Sequence, residues 1–117
     1  MNLAAIVREL ELTPLTPEVT TGETLEVTGG YASDLLSDAL AHAPQGGVLV
    51  TAQVHLNVIA VAAHTQQAAV IFPLGREPEQ TVRERAIEEG VPLFMTEASA
   101  FDIAGRLYEL GLRGPRP

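Results

Sequence analysis

Three short runs, residues 48–52, 68–72 and 91–95, are almost wholly apolar and rich in β-branched side chains. Runs of this length without polar alternation fit strands buried on both faces, which is the habit of parallel sheets. Glycine and proline punctuate them: Gly46 and Gly47 precede the first, Pro73 and Gly75 close the second, and Gly90 precedes the third. A fourth run, residues 25–28, alternates and predicts a short strand ended by Gly29 and Gly30.

Between these runs the apolar spacing turns helical. Leu3, Ile6, Val7 and Leu10 share one helical face, with Asn2 placed as an N-cap. Residues 12–15 are broken by Pro14, and residues 18–23 predict a polar loop around Gly22. Residues 33–43 predict a helix opening on Ser33 and Asp34, with Leu35, Leu36, Ala39, Leu40 and Ala43 as its stripe. Residues 54–65 fit a helix through Val58, Ile59, Ala62 and Ala63, started by Asn57, although the preceding strand could also run on into this segment. Pro78 suits the first turn of a helix reaching Glu89, with Val82, Ala86 and Ile87 inward. Ser99 caps a last helix over residues 100–110, with Asp102 as its capping-box partner. Strand and helix therefore alternate. The expected fold is α/β: a single domain over residues 1–112, with a mainly parallel sheet of about four to five short strands and helices on both faces. Residues 113–117 are expected to fray.

Charge narrows the function. The 117 residues carry a net charge of −8 and no lysine. The seven arginines are scattered, so the clustered cations that a nucleic-acid surface needs are absent and no nucleic-acid partner is expected. With no cysteine there are neither disulfides nor thiolate metal sites, which agrees with the cytoplasmic location expected for this chain. The opening MNLAAIVRELEL holds Arg8 and Glu9 within its apolar run and is not read as a signal peptide. The run 58–63 is too short to span a bilayer, and no membrane partner is expected.

In an open α/β sheet, ligands collect outside the carboxyl ends of the strands. The ends expected here are residues 29–34, 51–57, 73–77 and 96–99. At the first, Gly29 and Gly30 would let a backbone approach a ligand, followed by Ser33 and Asp34 at a helix start. The glycine spacing is neither that of a dinucleotide loop nor that of a phosphate loop, and no lysine meets a phosphate. A tight turn with a Ser/Asp cap is the plainer interpretation. At the second, Thr51, Gln53, His55 and Asn57 fall at alternate positions and would face one side of an extended strand. They would either hydrogen-bond a small ligand, or leave Asn57 as a cap and His55 as a structural histidine. Arg76 is the best-placed cation for an anionic ligand, or else a surface arginine paired with an acid. Thr96 and Ser99 complete the candidate ligand-binding set.

No catalytic constellation emerges, and a kinase activity is excluded by the missing phosphate-binding loop. His42, His55 and His64 lack ligand spacing, so no metal site is expected. Ser33, Ser37 and Ser99 lack a nucleophile elbow. Asp34 and Asp38, four apart, predict a solvated acidic helix face. The last helix is apolar beyond one stripe: Phe101, Ala104, Leu107 and Tyr108 are expected inward, with Ile103 and Leu110 left over for a partner subunit.

The segments VTGGYASDLLSDAL, TAQVHLNVIAVA and SAFDIAGRLYELG resemble, in that order, the small proteins that consist of a DRTGG domain. The resemblance runs from Leu3 to Leu112. Thr28, Gly29 and Gly30 match the name-giving motif, while Glu26 and Val27 stand in place of its acid–arginine pair. Such domains are α/β modules found alone or beside CBS pairs in regulated pyrophosphatases, a phosphotransacetylase domain, or regions related to the N-terminal part of HPr kinase/phosphorylase. Stand-alone members often carry an HPr-serine-kinase-like label. The resemblance implies a regulatory or ligand-binding role, commonly as a homodimer, for a small molecule or nucleotide that it does not identify. The alternative is an adaptor that engages a partner enzyme and has no small ligand. Neither implies a cofactor.

Overall fold

The apolar runs lie side by side in the computed structural model, which describes residues 1–22 and 25–116. β2 (Gly30–Ala32), β3 (Val48–Val50), β4 (Ala69–Phe72) and β5 (Leu93–Met95) are successive neighbours, all parallel. β1 (Thr13–Pro14) pairs antiparallel with β5 at the far edge. A proline is tolerated there because an edge strand can spare its outward N–H. The helices are α1 (Leu3–Glu9), α2 (Leu36–His42), α3 (Leu56–His64), α4 (Gln80–Glu89) and α5 (Ala100–Glu109).

Each crossover moves one strand along in the same direction. Right-handed connections of this kind put α2, α3 and α4 on one face. That face buries Leu49, Val70, Phe72 and Leu93 under Ala39, Val58, Ile59, Val82 and Ala86. The opposite face buries Val48, Val50, Ala69, Ile71 and Phe94 under Leu3, Ile6, Leu10, Ile103 and Leu107 of α1 and α5. The central strands are therefore covered twice, which explains their lack of alternation. Each fully buried aliphatic side chain contributes roughly 1.5–3 kcal/mol.

Several boundaries differ from those the spacing predicts. Residues 25–28 form no strand: Glu26 makes a lone bridge to Asn2, the amide of Val27 donates to the Met1 carbonyl, and the sheet is joined only from Gly30. Of the two apolar residues, Val27 packs in the core beside α1 and Leu25 stays exposed. The second helix starts at Leu36, not Ser33, with Leu35 in the N-cap position and no side-chain cap. Residues 51–55 leave the sheet, and His55 rather than Asn57 caps α3. In α5 the predicted inner face holds only in part: Leu107 is buried and Ala104 half-buried as expected, but Ile103 is buried, whereas Phe101 is 88% exposed and Tyr108 58%. Two apolar stripes satisfy the helical period, and docking selects the one that meets Val48 and Val50. Arg113, expected to fray, instead accepts the Gly30 amide on its carbonyl, and its guanidinium donates to the carbonyls of Tyr108 and Leu112. Glu23 of the predicted loop and Pro117 of the predicted tail lie outside the described residues.

Candidate functional site

The strand order reverses nowhere between β2 and β5, so no switch-point crevice opens between the layers. The concavity at the carboxyl ends is lateral. It lies between the starts of α3 and α4, a groove of about 500 Å³ lined by Gln53, His55, Leu56, Arg76, Glu79 and Thr81 among others. That volume falls within the range of roughly 300–1,000 Å³ typical of small-molecule sites.

Arg76 lines the groove, and Asp34 holds the loop beside it. After β2 the chain turns at Ser33, whose hydroxyl accepts the Leu35 amide at 3.2 Å. This local bond holds Asp34 out of the helix and aims it at the loop after β3. Asp34 Oδ1 accepts the Ala52 amide at 2.7 Å and the Thr51 hydroxyl at 3.2 Å, and the Asp34 carbonyl accepts from Gln53 Nε2 at 3.2 Å. Thr51 is buried, and its Oγ1 also accepts the Gln53 amide at 3.2 Å. On the other side, Arg76 Nε donates to the Ala52 carbonyl at 2.6 Å. The peptide unit around Ala52 is thus clamped between a carboxylate and a guanidinium. His55 Nδ1 accepts the Asn57 amide at 3.4 Å from the N-cap position of α3. Glu77 is engaged by Arg83 at 3.0 Å.

The candidate residues do not all converge. Gln53, His55 and Arg76 line the groove. Ser33, Asp34 and Thr51 lie outside its lining, in the hydrogen-bonded turn that holds residues 51–53. Asn57 lies in the first turn of α3 and lines a separate furrow with Arg85 and Glu89. Thr96 Oγ1 accepts the Ala98 amide and Ser99 Oγ accepts the Asp102 amide, so both act locally as caps. Gly29 and Gly30 sit at the amino end of β2, opposite the groove. A Cβ on Gly29 would lie 2.5 Å from the Arg113 carbonyl oxygen. Gly29 thus admits backbone, while Gly30 donates its amide to the Arg113 carbonyl. Asp34 and Asp38 do not share a helix face either. Asp38 in α2 accepts the Tyr31 hydroxyl at 2.7 Å and faces His42 Nδ1 at 3.2 Å. The Tyr31 hydroxyl, with Ser33 and His42 adding to it, holds the Asp38 carboxyl below its ordinary value, and the same contact raises the Tyr31 hydroxyl. The sequence offered no route to Glu79 and Thr81 in the groove wall. Only the packing of α4 beside α3 brings them there.

Among the described residues no group of three or more potential metal ligands clusters, and no helix is long and apolar enough to cross a membrane. No protein-family model and no curated protein matches the chain. A solved structure does share its fold: the CBS and DRTGG domains of the regulatory region of Clostridium perfringens pyrophosphatase, complexed with its activator diadenosine tetraphosphate. The TM-score is 0.71 at 15% identity, over 96% of this chain and 47% of that one. The chain thus spans about half the length of the protein it resembles, and the likeness is one of fold.

Proposed function

We propose that the chain is a regulatory module of the DRTGG type, non-catalytic by itself, that senses a small nucleotide-like ligand in the groove between α3 and α4. The observation that carries this reading is the meeting of Gln53, His55 and Arg76 in one groove of suitable size. Arg76 spends its Nε on Ala52, which fixes the guanidinium as a platform for an anionic or acceptor group. Glu77 and Glu79 share the wall, so the ligand must also present donors, as a nucleobase does. The fold shared with a regulatory region solved with a dinucleotide activator supports the same reading.

Thermal denaturation with AMP, ATP and diadenosine tetraphosphate tests it. A ligand at a hundred times its Kd adds about 2.7 kcal/mol of stability. Arg76→Ala and His55→Ala are expected to abolish that gain, each also costing about 1 kcal/mol of unliganded stability through the lost clamp bond or α3 cap. A flat response of the unaltered protein to all three nucleotides would falsify the reading.

The module is further proposed to work as a homodimer through the outer face of α5, where Phe101 and Tyr108 are exposed. Sedimentation of Phe101→Glu checks this: a dimer that persists unchanged excludes that face.

A further inference from the structure

The two edges of the sheet are finished differently. At one, β1 is two residues long and contains Pro14, which blunts pairing with another chain. At the other, β2 reads Gly30-Tyr31-Ala32, with neither proline nor charge. Val48 donates its amide to the Gly29 carbonyl, and Ser33 donates its own to the Val50 carbonyl. Residues 29 and 33 therefore turn inward to β3, and by strand alternation the main-chain groups of Gly30 and Ala32 turn outward. The Gly30 amide is taken by the Arg113 carbonyl at 3.0 Å, in the manner of an added strand. The chain cannot continue that pattern far, because Pro115 has no amide hydrogen to give. Ala32 is exposed, and its amide has no partner among the described residues.

Beside this open edge lies an apolar slot of about 150 Å³, walled by Tyr31, Val50, Ala104, Leu107 and Leu112. It is too small for a drug-sized molecule, whose sites start at roughly 300 Å³, and suits one aliphatic side chain. Arg113 borders the slot with its guanidinium 3.6 Å over the Tyr108 ring. Charge here departs from the rest of the chain. Residues 100–116 hold three of the seven cations and only two of the fifteen acids.

We propose that the free edge of β2 is a docking site for an extended acidic peptide segment of a partner protein. The segment would pair its backbone with Ala32, seat an aliphatic side chain in the slot and set a carboxylate against Arg113. Main-chain pairing would supply affinity, and the slot and the arginine would supply specificity. This surface lies apart from the groove between α3 and α4, so it stands or falls independently of ligand sensing.

The probe is a fluorescein-labelled peptide of alternating valine and glutamate, followed by fluorescence anisotropy on the whole chain. Saturable binding is expected, with slowed hydrogen exchange at the Ala32 amide. Ala32→Pro removes the outward N–H yet spares the ladder to β3. It should weaken binding about tenfold, the effect of roughly 1.4 kcal/mol from a lost main-chain bond. Arg113→Glu should weaken the glutamate peptide and favour a valine–lysine one. No binding by the unaltered protein, or unchanged binding by a folded Ala32→Pro variant, overturns the proposal. So does protection of Ala32 that rises with protein concentration without peptide, which would make a second copy of the chain the occupant.

Discussion

The two ends of the sheet are joined in opposite ways. At the amino ends, backbone meets backbone. Gly29 lies against the Arg113 carbonyl, and a Cβ on Gly47 would come within 2.9 Å of the Gly29 carbonyl oxygen and 3.1 Å of that of Pro44. At the carboxyl ends, side chains join the loops: Asp34 and Arg76 clamp Ala52 from two sides. Close backbone packing tolerates no added atoms at Gly29 or Gly47. A side-chain clamp tolerates change and leaves guanidinium, imidazole and amide heads facing solvent. The difference teaches that Gly29 and Gly47 serve close packing, while the looser end keeps polar side chains at the surface, where the proposed ligand site lies.

The contrast can be broken first at Gly29. In Gly29→Ala the new methyl meets a main-chain oxygen that cannot rotate away, so a loss of about 1–3 kcal/mol or more is expected, read as a lower Tm. Gly75→Ala probes the looser end. Its φ of +64° favours glycine, but the nearest obstacle is the end of the Glu97 side chain, at 2.7 Å. A loss of roughly 1–2 kcal/mol from the left-handed backbone is expected. Adding Glu97→Ala should recover little of it; full recovery would show that steric conflict, not backbone conformation, sets the cost. Asp34→Ala removes one arm of the clamp and should cost about 1 kcal/mol by chemical denaturation. A loss as large as that of Gly29→Ala would erase the distinction between the ends.

The smallest effect is electrostatic. Because the folded value of Asp38 is lowered, its contribution is fully present above the unfolded carboxylate value, about 3.9, and is lost as pH falls through the folded value. Tyr31 runs the other way. Its folded value is raised, so its contribution is present below about 10 and is lost as pH rises through the folded value. Tyr31→Phe should flatten both limbs of the stability profile; a profile identical to the parent's would show that the pair carries no linkage.

Much of the fold was legible because burial on both faces leaves an unmistakable pattern in residues 48–50, 69–72 and 93–95. Caps were legible where a short polar side chain could reach its own helix, as Asn2 and Ser99 do. The start of α2 was not, because Ser33 and Asp34 look alike as a cap and as a turn. Gln53, His55 and Arg76 were placed in the loops after strands, where the structure has them, whereas Gly29 and Gly30 were expected after a strand at 25–28 and instead lie at the start of the strand at 30–32. In α5 Leu107 was placed correctly, but Phe101 and Ile103 were exchanged because they belong to stripes of equal periodicity.

Sequence alone determined the alternation of strand and helix, the parallel sheet and the exclusion of a phosphate loop. These are local or compositional properties, set by side-chain period and residue type. Tertiary structure decided where Asp34 points, which stripe of α5 is covered, and that Gly29 makes room for Arg113. Each of those depends on contacts between segments distant in the chain, which no local pattern encodes.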